Sequence, residues 1–346
     1  MAATIKDIAK ALHISVSTVS YALNGGPRRV PDRVRDEVLR VAKELNYRPN
    51  RIARSLITGR TYTIGVVPST THLDLVLSPY LQSALNGIFN EAELHRYDVL
   101  IFTRCDQTET SEIGDSLVSG RVDALIFVAM PHDSPLVQCV RQAGIPYATV
   151  ASADDPDAVQ FQCDNAQGVR LAIEHLVGLG HRKIGHLTGQ ERLHDAQIRN
   201  EAFLSLVDEF RLECSPEWIR SGEFVSDQGY EAAKAILALP ERPTALFCSN
   251  DEMALGAIQA AKELGLSVPE DLSVVGFDDV PLSRVVTPNL TTVRQPTQEL
   301  AILATRALIG HVEARGRTSS VPPIQSVTLA NQLVVRQSTT RPKEDT

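Results

Sequence analysis

Long apolar runs are missing from these 346 residues. No stretch approaches the roughly 18 consecutive apolar residues that a membrane-spanning helix needs, so a spanning segment is not expected. The opening residues, Met1-Ala2-Ala3-Thr4-Ile5-Lys6-Asp7, hold no apolar signal core, so export is not expected either. Cysteine is scarce: Cys105, Cys139, Cys163, Cys214 and Cys248 are odd in number and form no CxxC pair. That argues against a disulfide framework and a zinc site, and fits a reducing cytoplasm. Catalytic signatures are lacking too. No GxSxG, HExxH, GxGxxG or GxxxxGK[ST] occurs, and the histidines are scattered. His181 and His186 read as satisfied loop or strand histidines rather than a metal pair. Asp278 and Asp279 are adjacent, and neighbours on a strand face apart. No enzyme, no metal and no cofactor is implied.

The net charge of −8 at first argues against nucleic acid. Its distribution reverses that reading. Residues 1–60 hold twelve Lys and Arg against five Asp and Glu, or +7, which leaves 22 against 37, or −15, for the remainder. A basic head on an acidic body suits contact with DNA at one end. An exposed, salt-bridged helical domain is the alternative, and charge alone does not separate the two.

The order of residues in the head does. Thr4 caps a helix with Asp7 three positions on, and Ile5, Ile8, Ala9 and Leu12 share one face. His13-Ile14-Ser15 breaks the pattern. Ser15 is a second cap, followed by Val16, Val19, Ala22 and Leu23, and Asn24-Gly25-Gly26-Pro27 ends that helix. Two short helices across a tight turn spell helix-turn-helix. A third helix starts near Pro31-Asp32 and offers Val34, Val38, Val41, Ala42 and Leu45 for packing beneath them. The second helix would enter the major groove with its N-terminal residues at base edges. Val16 and Ser17 lead, with Ser20 and Tyr21 a turn later. Val16 suits a thymine methyl and Ser17 several base edges. A core position for Val16 is the competing reading. Its place in the first turn favours exposure.

Four pieces now stand in register: Thr4-Ile5-Lys6-Asp7-Ile8-Ala9, Val16-Ser17-Thr18-Val19-Ser20, Leu45-Asn46-Tyr47-Arg48-Pro49-Asn50 and Ala53-Arg54-Ser55-Leu56. At this spacing the chain resembles the lactose repressor/galactose repressor (LacI/GalR) family of transcription regulators, over almost its whole length. The resemblance implies a hinge helix from Asn50 to about Thr58, too short to be stable alone in water. It implies that two hinge helices of a dimer enter the minor groove, with Leu56 wedged between base pairs at the site centre. It places Tyr47 and Asn50 on the sugar–phosphate backbone. Asn24 and Arg29 are weaker backbone candidates, and Ile5 and Ala53 complete the DNA-contacting set. A plain charged linker is the rival reading of 50–58. The operator sequence does not carry over.

From Thr63 onward β-rich runs appear at Thr63–Val67, Val99–Phe102, Ala124–Val128, Tyr147–Val150, Lys183–Leu187, Ala245–Ser249 and Ser273–Phe277. Amphipathic stretches such as Leu81–Leu94, Gly168–Leu179, Gln228–Leu237 and Glu252–Leu264 separate them. Strands alternating with helices imply parallel sheets covered on both faces, here two of them. The expected class is therefore α plus α/β. A helix-turn-helix domain at 1–48 and a hinge at 49–61 precede a two-lobed, periplasmic-binding-protein-like body at 62–346 that binds effector and dimerises. By resemblance the first lobe takes about 62–160 and 293–320, and the second about 161–292 and 321–340.

Ligands in such folds bind at the carboxyl ends of strands, here between the lobes. By resemblance Arg199 is the cleft arginine, whose planar fork holds two hydroxyls or a carboxylate. Asp278, just past a strand, accepts two bonds from a diol. Surface charges or lobe-closing ion pairs are the competing reading of both. Asn250 lines the cleft, Phe224 is an aromatic wall or ordinary core, and Ser69, Ser78 and Tyr80 line it from the first lobe. Two departures from the family stand out. Ala151 occupies the place where sugar-binding members often carry an aspartate, which puts a conventional hexose contact set in doubt. Ala202 replaces the glycine of Arg-x-x-Gly-Phe, with Phe203 retained. A solute-binding transport protein would share the body but not the basic head. The expected partners are double-stranded operator DNA, a sugar-like small-molecule effector and a second copy of the chain, with no membrane. Residues 339–346 carry no heptad repeat to join dimers further.

Overall fold

The computed structural model describes residues 3–24, 29–47, 59–68, 78–103, 110–131, 134–153, 155, 157–315 and 321–343. The chain divides into two compact units, Met1–Thr61 and Tyr62–Thr346.

The head is three helices: α1 (Ile5–Leu12), α2 (Val16–Asn24) and α3 (Asp32–Glu44). Local chemistry sets their ends. The Asp7 carboxylate accepts from the Thr4 backbone N–H at 2.8 Å and from its hydroxyl at 2.7 Å. His13 takes a left-handed turn at φ 52°, and Ser15 Oγ then accepts from Thr18 N at 3.0 Å to start α2. Ile8, Val19, Ala22, Val38, Val41 and Ala42 fill the core between the helices. Arg35 Nε donates to the Ala22 carbonyl at 3.2 Å, locking α3 to the end of α2. Leu45, expected in that core, is 39% exposed. The helix stops before it. Asn46 turns left-handed at φ 52°, Tyr47 N donates to Ala42 O at 2.8 Å, and the Tyr47 ring covers the core instead.

The body holds two six-stranded sheets. The first contains β1 (Thr63–Pro68), β2 (Asp98–Ile101), β3 (Ala124–Val128), β4 (Tyr147–Val150), β5 (Gln160–Cys163) and β11 (Val327–Leu329), all parallel, in the order β11-β5-β4-β3-β1-β2. Its helices are α4 (Pro79–Leu94), α5 (Thr110–Val118), α6 (Pro135–Gln142) and α11 (Thr297–Arg315). The second contains β6 (Ile184–Thr188), β7 (Ile219–Ser221), β8 (Ala245–Cys248), β9 (Ser273–Asp278), β10 (Thr291–Arg294) and β12 (Gln332–Val334) in the order β12-β10-β9-β8-β6-β7, with β12 alone antiparallel. Its helices are α7 (Asn165–Gly178), α8 (His194–Phe210), α9 (Ser226–Leu237) and α10 (Asp251–Glu263). Central strands are buried on both faces, as in Ala124–Val128 and Ala245–Cys248, which is why their sequences run apolar without alternation.

The chain crosses between the lobes three times: after β5, after β10 and between β11 and β12. Three segments therefore sit differently from the expected boundaries. Phe161–Cys163 and Val327–Leu329 pair with the first sheet, not the second, and Val293–Arg294 pair with the second, not the first. The crossovers come at strand ends, where backbone pairing stops, so each strand stays whole in one sheet.

Candidate functional site

In the head, Val16 is 42% exposed while Val19 and Ala22 on the same helix are buried. Ser17 is exposed beside it, and Ser20 and Tyr21 are half-buried one turn on. The start of α2 thus presents a small apolar group and a hydroxyl to solvent, a surface able to meet base edges. Arg29 is exposed. Ile5 and Tyr47, counted among the DNA contacts, also pack against the three-helix core, so only part of each is available to a partner. Asn24 ends α2. The side chain of Asn24, the hinge residues Asn50, Ala53 and Leu56, and Ser69 lie outside the described residues.

In the body, the carboxyl ends of both sheets enclose a cavity of about 620 Å³. Ser78 and Tyr80 line it from the first lobe, and Arg199, Phe224, Asn250 and Asp278 from the second. Strand ends supply its rim, and the backbone there is unusual. Ala129 (φ 51°), Ala151 (φ 124°), Phe224 (φ 61°) and Asp278 (φ 126°) all hold positive φ without being glycine. Glycine appears where a ring needs the room. A Cβ on Gly189 would sit 2.0 Å from Phe224 Cζ, so only a bare backbone lets that aromatic wall lie over the end of β6.

Arg199 lies on α8 and is 3% exposed. It is neither a surface charge nor a lobe-closing ion pair. Nε donates to Asn165 Oδ1 at 2.7 Å and Nη1 to the Ser249 carbonyl at 2.6 Å, and the guanidinium lies 3.9 Å over the Phe277 ring. Nη2, without a partner among the described residues, remains for whatever enters the cavity. Asn165 passes the link on. Its Nδ2 reaches Asp195 Oδ1 at 2.7 Å and Ser152 Oγ at 3.1 Å, while Ser152 N, from the first lobe, donates to the same Asp195 oxygen at 3.1 Å. Asp195 therefore bridges the lobes beside Ala151. Ala151 and Asp195 both line the cavity there.

Asn250 lines the cavity as expected, and both ends of its amide also make structural bonds. Its Oδ1 accepts from Met253 N at 2.9 Å to cap α10, and its Nδ2 donates to the Phe224 carbonyl at 3.1 Å. It lines the cavity mainly by holding the Phe224 wall in place. Asp278 accepts from Gln295 Nε2 on the second crossover. Burial raises its carboxyl to about 7, against the pull of Arg199 and Gln295. Burial, then the charge of Asp278, raises Glu252 to about 7 as well. Burial, with Asp195 adding to it, pushes the Tyr80 hydroxyl far up, so it remains a donor. Asp279 turns away from the cavity into a clamp of Arg284 (2.9 Å), Arg294 (2.7 Å) and Arg336. Burial raises its carboxyl, but the three arginines outweigh that and hold it low. The two neighbours thus do separate work.

Asp195, Glu252, Asn165 and Ser152 went unread as site residues. Asp195 stands four positions before Arg199, on the same helical face, and Glu252 two after Asn250; those spacings were the available signal. His181 is buried and satisfied by Thr244 at 2.8 Å and the Thr340 carbonyl at 2.9 Å. His186 stacks on Phe247, lies tilted against Phe203 and bonds Ser249 through Nε2 at 2.9 Å, but its buried Nδ1 lacks a partner among the described residues, so it is not the fully satisfied histidine expected. Among the described residues no cluster of metal-ligating side chains occurs, and no helix is long and apolar enough to cross a membrane.

A helix-turn-helix head and a two-lobed body with a cavity between its sheets are together the parts of a DNA-binding transcription regulator, and the chain's relatives agree. Residues 4–50 match the family model for bacterial regulatory proteins, lacI family, and residues 173–339 match that for a periplasmic binding protein-like domain. The chain is 34% identical over 344 residues to the HTH-type transcriptional repressor PurR of Mannheimia succiniciproducens, covering 97% of this chain and 98% of that protein. It is 33% identical over 314 residues to the ribose operon repressor of Haemophilus influenzae, covering 90% and 92%. Among solved structures, the lac repressor dimer bound to operator and the anti-inducer ONPF superposes with a TM-score of 0.84 at 28% identity, covering 98% and 100%. The transcriptional regulator CelR–cellobiose complex gives 0.74 at 26%, covering 97% and 99%. The chain belongs to the LacI family of bacterial regulatory proteins.

Proposed function

We propose that this chain represses transcription in the cytoplasm by binding a near-palindromic operator as a homodimer, under the control of a sugar-like small molecule held in the cavity. The observation that carries the control is the build of the cavity. Its walls come from both lobes, and the Ser152–Asp195 bond joins those lobes at the cavity's edge. A ligand touching both walls binds one lobe angle better than another, and it shifts the equilibrium by that difference alone. The chain enters the first sheet at Thr63, directly after the hinge segment. Rotation of the first lobe therefore alters the spacing of the two hinges in a dimer. Solved relatives support each part: one is described as a dimer on its operator and another as a complex with cellobiose. Leu282 and Val285, 51% and 70% exposed, offer apolar surface of the kind a dimer covers. Two-fold symmetry in the protein then calls for two-fold symmetry in the site.

The test starts from operator DNA selected from a random pool by the full chain. Sugars, polyols and nucleobases that raise its melting temperature are then titrated into the complex. At least one should change operator affinity about 5- to 150-fold, the range of typical coupling. Arg199→Lys, which keeps the charge and loses the fork, should abolish that response. A normal response in the variant would move the ligand site elsewhere.

A further inference from the structure

The charge of the cavity does not suit a plain sugar. Among the described residues, four carboxylates line it, Asp195, Asp227, Glu252 and Asp278, against one guanidinium, one imidazole (His194) and no lysine. That guanidinium forms no ion pair with any of them within contact distance among the described residues, although its charge pulls on Asp278. Both bonds that Arg199 makes go to neutral oxygens, and its flat face is taken by Phe277. Its Nη2 nevertheless faces the cavity without a partner among the described residues, although the residue is 3% exposed. Nη2 is not among the fully enclosed atoms that lack a partner, so it keeps access to open space at the cavity and can donate to an oxygen there. Glu252 forms no hydrogen bond or ion pair among the described residues, and Asp278 accepts one bond, from Gln295, on one oxygen. Both carboxyls stand near 7, chiefly through burial, with Asp278 adding to the rise of Glu252 and Arg199 and Gln295 holding back that of Asp278. Glu252 also sits in the first turn of α10, where the helix field favours a negative group.

We propose that the cavity takes a hydroxyl-bearing small molecule with a protonated amine, an amino sugar or amino polyol, its hydroxyls on Arg199 Nη2 and its ammonium between Glu252 and Asp278, and that Glu252 selects the amine. This rests on the reading of the cavity as the effector site. An ammonium brings three donors and a charge, so it satisfies both carboxylates together. A neutral hydroxyl fills one oxygen and leaves the charge in place. A phosphate or carboxylate meets four like charges across a partly water-excluded space.

The test uses the full chain at about pH 7.5 and matched probes: glucose, glucosamine, N-acetylglucosamine and glucose 6-phosphate, with the same sets built on galactose and mannose. Thermal shift screens them, and calorimetric titration measures those that bind. In at least one set the free amine should bind about tenfold or more tighter than its neutral parent and its N-acetyl form, about 1.4 kcal/mol or more by the affinity relation. Glu252→Gln should erase that preference, so that amine and parent bind alike. Because Glu252 forms no bond among the described residues, the variant should fold, and a circular dichroism melt checks it; Glu252→Ala should erase the preference likewise. Equal binding of amine and parent, a preference that survives both variants, or no binding by any amine at about 10 mM overturns the proposal. A sugar lost in Arg199→Lys but indifferent to Glu252→Gln overturns the amine and keeps the cavity as the ligand site. Tight binding indifferent to both overturns the effector reading too.

Discussion

Glu252 and Asp279 are two carboxylates with opposite fates, and each predicts its own pH behaviour. Glu252 is raised to about 7 by burial, then by Asp278. Its neutral form is favoured in the fold, so the stability it contributes is complete below its ordinary value of about 4.3 and lost as pH rises through about 7. Glu252→Gln should therefore raise the melting temperature at pH 8 by a few degrees, on the order of 1 kcal/mol after solvent screening, and leave it unchanged at pH 4. An equal effect at both pH values would show that the carboxyl is not perturbed. Asp279 is held low by its three arginines against the cost of burial. Its stabilisation is present above its ordinary value of about 3.9 and lost as pH falls through the lower folded value. Asp279→Asn at pH 7 leaves Arg336, 14% exposed, without its anion. The expected loss is about 3 kcal/mol, read as a lower urea midpoint with an unchanged slope. An unchanged midpoint would remove the clamp from the account. The places of Arg199 and Asp278 on the cavity wall were legible in the sequence because each keeps its register behind a family motif. Those of Asp195 and Glu252 were not, because only the folded chain brings them to the cavity.

At the scale of elements, the head was the most legible part. Its caps act over three residues, and its buried positions repeat at helical spacing. Ser15→Ala should lower the stability of the head by about 1 kcal/mol, since Thr18 N loses its acceptor. Amide hydrogen exchange in α2 reads that loss, and unaltered protection would show that the cap is idle. The seven apolar strands stand within a residue or so of the expected runs. The five others, β5, β7, β10, β11 and β12, are three or four residues long and rich in Gln, Ser, Thr and Arg. Partners far away in sequence define them, as when Phe161 in β5 pairs with Val327 in β11, and no local pattern records that. The same holds for the crossovers. Asn331 Nδ2 ties the third to the Asp164 carbonyl of the first at 2.6 Å, and Gly168 leaves room for it, since a Cβ there would stand 2.7 Å from Asn331 Nδ2. The hinge segment is read from family register alone. If Leu56 is a minor-groove wedge, Leu56→Ala should remove most of the DNA bend in a circular-permutation gel assay. Unchanged bend and affinity would make 50–58 a linker.

For the whole molecule, the charge division follows the division into units. The +7 lies in residues 1–60 and the −15 in the remainder. Opposite signs give DNA one attractive end, and the acidic body resists wrapping by the same polyanion. If ligand and operator are coupled through the lobes, reciprocity requires operator DNA to change ligand affinity by the same factor that ligand changes operator affinity. Calorimetric titration of the effector with and without operator checks this, and unequal factors would rule out a closed two-site cycle. The helix-turn-helix head is expected to read DNA through the start of α2. Fluorescence anisotropy of the selected operator and of a scrambled duplex, over a salt series, tests it most directly. The full chain should prefer the operator, and its affinity for both should fall steeply and linearly on a log–log salt plot as counterions leave the phosphates. Replacing Val16 and Ser17 together with alanine should cost about 1–3 kcal/mol on the operator and little on the scrambled duplex. Salt-independent binding, or a double variant that keeps its full operator preference, would contradict it.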